Sequence, residues 1–68
     1  MKASQAAAKI RATIKKSGIN PKGMVRVISN DYMTEIEVNL RGVYGEPRED
    51  IEDEINSLPY GFFDFNVI

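Results

Sequence analysis

Between Thr34 and Leu40 the chain alternates strictly, with Ile36, Val38 and Leu40 on one side and Glu35, Glu37 and Asn39 on the other. A period of two marks a strand with one face in a core and the other open to water. Whatever else the chain forms must therefore supply an apolar cover for the Ile36 face. The preceding run, Met24 to Ser29, is rich in β-branched residues and reads as a second strand. Asn30 and Asp31 supply turn chemistry between the two, so they form a hairpin.

The cover comes from both ends of the chain. Ala3, Ala7, Ile10 and Ile14 recur at three- and four-residue steps, which predicts a helix capped by Ser4, running to about Ser17 and ended by Gly18. Residues 19–23 read as a loop, because Pro21 biases Asn20 away from helix and Gly23 relaxes the chain. Gly42 and Gly45 punctuate the connection after the hairpin. Pro47 suits the first position of a second helix, with Glu46 near its start and Ile51, Ile55 and Leu58 as its apolar stripe. Pro59 stops that helix, and Gly61 turns the chain into a last strand, Phe62 to Ile68.

The order is α-β-β-α-β, an α+β fold. A strand–helix–strand crossover makes the last strand parallel to the second. With the first strand between them, the expectation is an antiparallel three-stranded sheet with two helices packed on one face. A chain of 68 residues buries only about 60% of the surface its unfolded form exposes. One core, and a single domain over residues 1–68, is all that it is expected to build.

The inventory of reactive side chains is short. There is no cysteine and no histidine, hence no disulfide, no thiolate nucleophile and no imidazole for acid–base work or metal ligation near neutral pH. No glycine-rich phosphate loop, nucleophile elbow or paired-carboxylate spacing replaces them. The expectation is a protein that is not an enzyme, holds no metal or cofactor, and acts by binding. No apolar run approaches the roughly 18 residues that span a membrane, and none near the N-terminus is long enough for a signal peptide. The expected compartment is the cytoplasm.

Charge is segregated along the chain. Lys2, Lys9, Arg11, Lys15, Lys16, Lys22 and Arg26 give residues 1–30 a net +7, without one acid. Residues 31–68 carry ten acids against Arg41 and Arg48, a net −8 hidden in the formal total of −1. Three readings are open. The two faces pair with each other or simply keep a small domain in solution. Alternatively the basic helix, through Lys9, Arg11, Lys15 and Lys16, neutralises nucleic-acid phosphates, although no aromatic platform accompanies it and the pI is near 5.3. In the third reading the acidic helix docks on a basic protein surface, through Glu49, Asp50, Glu52 and Asp53 away from the Ile51 stripe.

The aromatics divide by parity. Phe63 and Phe65 belong to the core face of the last strand, whereas Phe62, Ile68, Met24 and Ile28 point to the open face. These scattered outward apolar residues suit a monomer or weak dimer. Tyr32 and Tyr44 sit in turns, where a tyrosine packs on the domain edge or anchors a contact.

With these elements in place the chain resembles a known family. The Ala-rich first helix with Lys9-Ile10-Arg11 and Ile14-Lys15, the Lys22 to Val27 segment, the polar hairpin, the acidic helix and the segment Tyr60-Gly61-Phe62-Phe63-Asp64 look like the small domain associated with large polyvalent proteins of phages and conjugative plasmids. The likeness covers nearly the whole chain, and the expectation is that this chain departs from the family by standing without the large protein. The resemblance implies a mobile-element origin and an accessory role against host defences, similar in style to the small inhibitors of CRISPR–Cas or restriction systems. The implied partner is a host protein complex such as a CRISPR–Cas effector. Nucleic-acid binding is the alternative, and a purely structural phage component is a third.

A single core drawing on helices from both ends of the chain should melt as one unit. Calorimetry is expected to show one cooperative transition, and two separated transitions would contradict the single-domain reading.

Overall fold

The computed structural model describes residues 1–59, 61 and 63–68. Tyr60 and Phe62, with the expectations attached to them, lie outside the described residues. The element order is α1 (Ala3–Lys16), β1 (Val25–Ser29), β2 (Thr34–Val38), α2 (Glu46–Ser57) and β3 (Asp64–Val67), which is the α-β-β-α-β order that the periodicities predict.

The first helix begins one residue before Ser4, so Ser4 is not its cap. Lys2 holds the cap position, and its backbone N–H donates to Gln5 Oε1 at 3.1 Å. Glutamine three residues into a helix reaches back in this way, which leaves Ser4 exposed on the first turn. Ala6, Ala7, Ile10 and Ile14 are buried as one stripe. The second helix starts at Glu46, with Pro47 in its first turn and Gly45 before it at φ 70°, a left-handed value that glycine adopts freely.

The sheet differs from the expectation in its order. It runs β1-β2-β3, so β2, not β1, is central. β1 pairs with β2 antiparallel, with Val27 opposite Ile36 and Val25 opposite Val38. β3 pairs with β2 parallel, with Phe65 beside Ile36 and Val67 beside Val38. The sheet is therefore mixed rather than antiparallel. The second and last strands are parallel as the crossover requires, but they are direct neighbours. The physical reason lies in burial: Ile36, Val38 and Leu40 are fully buried, while Val27 on β1 is 40% exposed and Val67 on β3 is 39% exposed. The strand with the strictest apolar face takes the position with a neighbour on each side.

Both helices supply the cover. α1 lies across β1 and β2, and α2 packs against α1. Ile51 and Ile55 of α2 join Ile10 and Ile14 of α1, Val25, Ile36, Val38 and Leu40 in one buried cluster. The helices run antiparallel. Lys16 and Ser17 share a cleft with Asp50 and Glu54, while at the other end a Cβ on Gly61 would stand 2.8 Å from the Met1 carbonyl oxygen. Met24, expected on the open face, instead packs against the cluster, as do the half-buried Phe63 and Phe65. The last two meet edge to face at 5.5 Å.

Ile36 and Val27 face each other across the ladder, yet only Ile36 is enclosed. Ile36→Ala is expected to lower the unfolding free energy by about 2–5 kcal/mol, the usual range for emptying a packed site. Val27→Ala is expected to cost about 0.5 kcal/mol. Urea denaturation of the two variants measures both, and equal losses would contradict β1 as an edge strand.

Candidate interaction surface

The charged residues singled out in the sequence fall on distinct flanks. On α2, Ile51 and Ile55 turn inward, and Glu46, Glu49 and Asp53 occupy the exposed ridge opposite them. Asp50 is exposed on the flank toward α1, beside the cleft it shares with Glu54, Thr13 and Lys16. Glu52 sits half-buried on the other flank, toward β3, in a shallow depression with Ile55, Asn56 and Val67. The four carboxylates Glu49, Asp50, Glu52 and Asp53 thus wrap the outer half of the helix rather than sharing one face.

Glu52 also has a partner. Arg48 Nε donates to its Oε1 at 2.9 Å, while Arg48 Nη1 donates to the carbonyls of Leu40 at 3.1 Å and Val43 at 3.4 Å. One guanidinium fork therefore ties the first turn of α2 to the end of the central strand and the loop between them. The sequence signal for this was available: Arg48 is the lone cation in the acidic run, four residues before Glu52. Glu46, Glu49, Asp50 and Asp53 have no such tie. Among the described residues the ion pairs are Arg48–Glu52 and a long, exposed Arg26–Glu37 contact at 3.9 Å.

The basic helix is divided. Lys16 borders the cleft toward α2, and the seven-residue spacing sets Lys9 and Lys2 on the same flank. Arg11 and Lys15 lie on the opposite flank, across an exposed strip of Ala8 and Ala12. Arg11 is committed to the fold, since its Nη2 donates to the Val25 carbonyl at 3.0 Å. Nothing local announced this contact, which joins residues fourteen apart. Lys9, Arg11, Lys15 and Lys16 therefore do not form one continuous basic face.

The open sheet face adds a second acidic zone that sequence reading missed, because it depends on strand order. The register places Glu35 beside Asp64 and Glu37 beside Asn66, so three carboxylates share a face with Arg26 and Ile28. Tyr32 and Tyr44 stand in solvent at 96% and 77% exposure, rather than packing on the domain edge. Among the described residues no helix is long and apolar enough to cross a membrane, and no group of three or more acidic side chains is placed to hold a metal ion.

No protein-family model matches the chain, and neither the curated proteins nor the solved structures gave a match.

Arg48 and Glu52 hold a loop, whereas Glu49 holds nothing. Arg48→Ala is therefore expected to destabilise the fold by about 1–2 kcal/mol, through loss of charge-assisted hydrogen bonds, and Glu49→Ala to stay within about 0.5 kcal/mol. Thermal unfolding of the two variants distinguishes them, and indifference to Arg48 would show that the fork does not hold the loop.

Proposed function

We propose that this protein is a non-enzymatic accessory factor of a phage or plasmid that inhibits a host defence complex by binding it through the acidic side of the molecule. One observation carries the reading. The outer half of α2 presents Glu46, Glu49, Asp50 and Asp53 exposed, and among the described residues none of them has an ion-pair partner. Closely spaced carboxylates with no internal use are suited to a basic protein surface, and they speed encounter with it. A CRISPR–Cas or restriction complex, whose nucleic-acid-binding surfaces are basic by necessity, is the class of target this charge fits. The mobile-element setting rests on the resemblance of the helix, hairpin and Gly-Phe-Phe-Asp segments to the domain of large polyvalent proteins.

Within this reading each of the chosen residues has a stated part. Glu49 and Asp53 make the central contacts from the ridge, and Asp50 extends them toward α1. Glu52 contributes through its position over the β3 flank while held by Arg48. The basic helix is the weaker candidate for recognition, because Arg11 is spent on the Val25 carbonyl and the remaining lysines are divided between two flanks.

Capture of a tagged protein's partner from host lysate tests the reading. Glu49→Lys with Asp53→Lys is expected to leave the circular-dichroism spectrum nearly unchanged and to abolish capture, since like charges across an interface cost several kcal/mol. Lys9→Glu with Lys16→Glu is expected to leave capture intact. The opposite pattern, together with a salt-sensitive shift of DNA or RNA mobility, would overturn the acidic surface in favour of nucleic-acid binding.

A further inference from the structure

A three-stranded sheet has two edges, and the two here are treated differently. Along β1, Met24 O accepts from Asn39 N at 2.8 Å and Asn30 N donates to Met33 O at 3.0 Å. The intervening alternation turns the backbone groups of Val25 and Val27 away from β2. The outward carbonyl of Val25 is then taken by Arg11, and Arg26 stands within the strand. Charged residues and a covering side chain are the usual defences of an edge against strand addition.

Among the described residues the β3 edge has no covering side chain, and its one charged residue is Asp64 at the start of the strand. Ile68 donates to Val38 O and Leu40 donates to Ile68 O, both at 2.9 Å, so Asp64, Asn66 and Ile68 direct their backbone groups at β2 while Phe65 and Val67 direct theirs outward. Among the described residues nothing hydrogen-bonds those outward groups. β3 contains neither lysine, arginine nor proline. Beside it lies a groove of about 460 Å³, lined by the apolar Ile55, Leu58, Phe65 and Val67 and by the polar Asn56 and Asp64. Tyr32 and Met33 continue the exposed apolar strip past the start of β3.

We infer that the β3 edge is a strand-addition site that takes an extended segment of a partner protein in which apolar and cationic residues alternate. An added strand sends successive side chains to opposite faces. One set enters the groove between α2 and β3, where Ile55, Leu58 and Phe65 offer apolar contact. The other set lies on the open face beside Asp64 and its neighbour Glu35, two carboxylates side by side that a lysine or arginine relieves. A second copy of this chain is a poor occupant. Joining two β3 edges would bring together two acidic helices and two Asp64 carboxylates, and on the β1 edge Arg11 already takes the Val25 carbonyl. The inference rests on the proposed acidic recognition side and names the backbone contact within it.

The test uses the whole ¹⁵N-labelled protein and two capped heptapeptides, one alternating valine with lysine and one alternating valine with glutamate. The valine–lysine peptide is expected to shift the amide resonances of Phe65 and Val67 most strongly, and the valine–glutamate peptide to leave them in place. Val67→Pro removes an outward N–H without touching the β2 ladder and should abolish binding. Asp64→Lys keeps every backbone group and should weaken binding about tenfold or more, so the inference stays testable if the proline variant misfolds. Shifts confined to Glu49 and Asp53, no shifts at all, or unchanged affinity in the Asp64 variant would overturn it. Lysate capture separates the two levels. Loss with the Glu49 and Asp53 reversals but not with Asp64→Lys leaves the proposed function standing and removes the edge site, whereas insensitivity to both sets removes both.

Discussion

The buried face of β2 governs the rest of the molecule. Ile36, Val38 and Leu40 supply three of the six largest fully buried side chains, the others being Ile10 and Ile14 of α1 and Ile51 of α2. A strand register that slipped by one residue would exchange these three for Glu35, Glu37 and Asn39. Both neighbouring strands and both helices are therefore fixed to one alignment. Arg48 secures the exit from this strand, bridging the Leu40 and Val43 carbonyls to the first turn of α2.

Putting β2 in the centre converts a pattern in sequence into a pattern in space. The cationic first thirty residues build α1 and β1, and the acidic remainder builds the centre of the sheet, α2 and β3. One edge of the sheet is consequently bordered by Arg11 and Arg26, and the other by Glu52, Asp64 and the α2 ridge. On the proposed function this polarity is what directs a basic partner to the β3 side. Arg11 takes an outward carbonyl of β1, and on the inference drawn above it is β3 that engages the partner through backbone hydrogen bonds as well as charge.

Element types and their order were legible because each rests on a local signal. The stripe of Ile10 and Ile14, the alternation of Ile36 to Leu40, and Pro47 and Pro59 bracketing α2 need no knowledge of the partner element. The Asn30 turn is equally local, its Oδ1 accepting from the N–H groups of Tyr32 and Met33. Strand order was not legible by the simple crossover argument, since that fixes relative direction and leaves the neighbour open. The usable clue was comparative: β1 offers Val25 and Val27 on its inward face, whereas β2 and the residues that follow it offer Ile36, Val38 and Leu40. The candidate surface was legible as composition but not as geometry. The i,i+4 spacing from Arg48 to Glu52 was the one local clue that separates Glu52 from Glu49, and nothing in the sequence reveals that Arg11 reaches a carbonyl on β1. The pairing of Glu35 with Asp64 requires the strand order itself.

Amide hydrogen exchange in the free protein tests the central claim, that the sheet is built around β2 with its β3 edge open. Asn66 and Ile68 direct their N–H groups at β2 and should exchange slowly. Phe65 and Val67, in the same strand and alternating with them, should exchange near the rate of unprotected amides. Protection that alternates in this way along four consecutive residues is the predicted result. Phe65 and Val67 protected as strongly as Ile68 would mean that the edge is already covered, and would contradict the account.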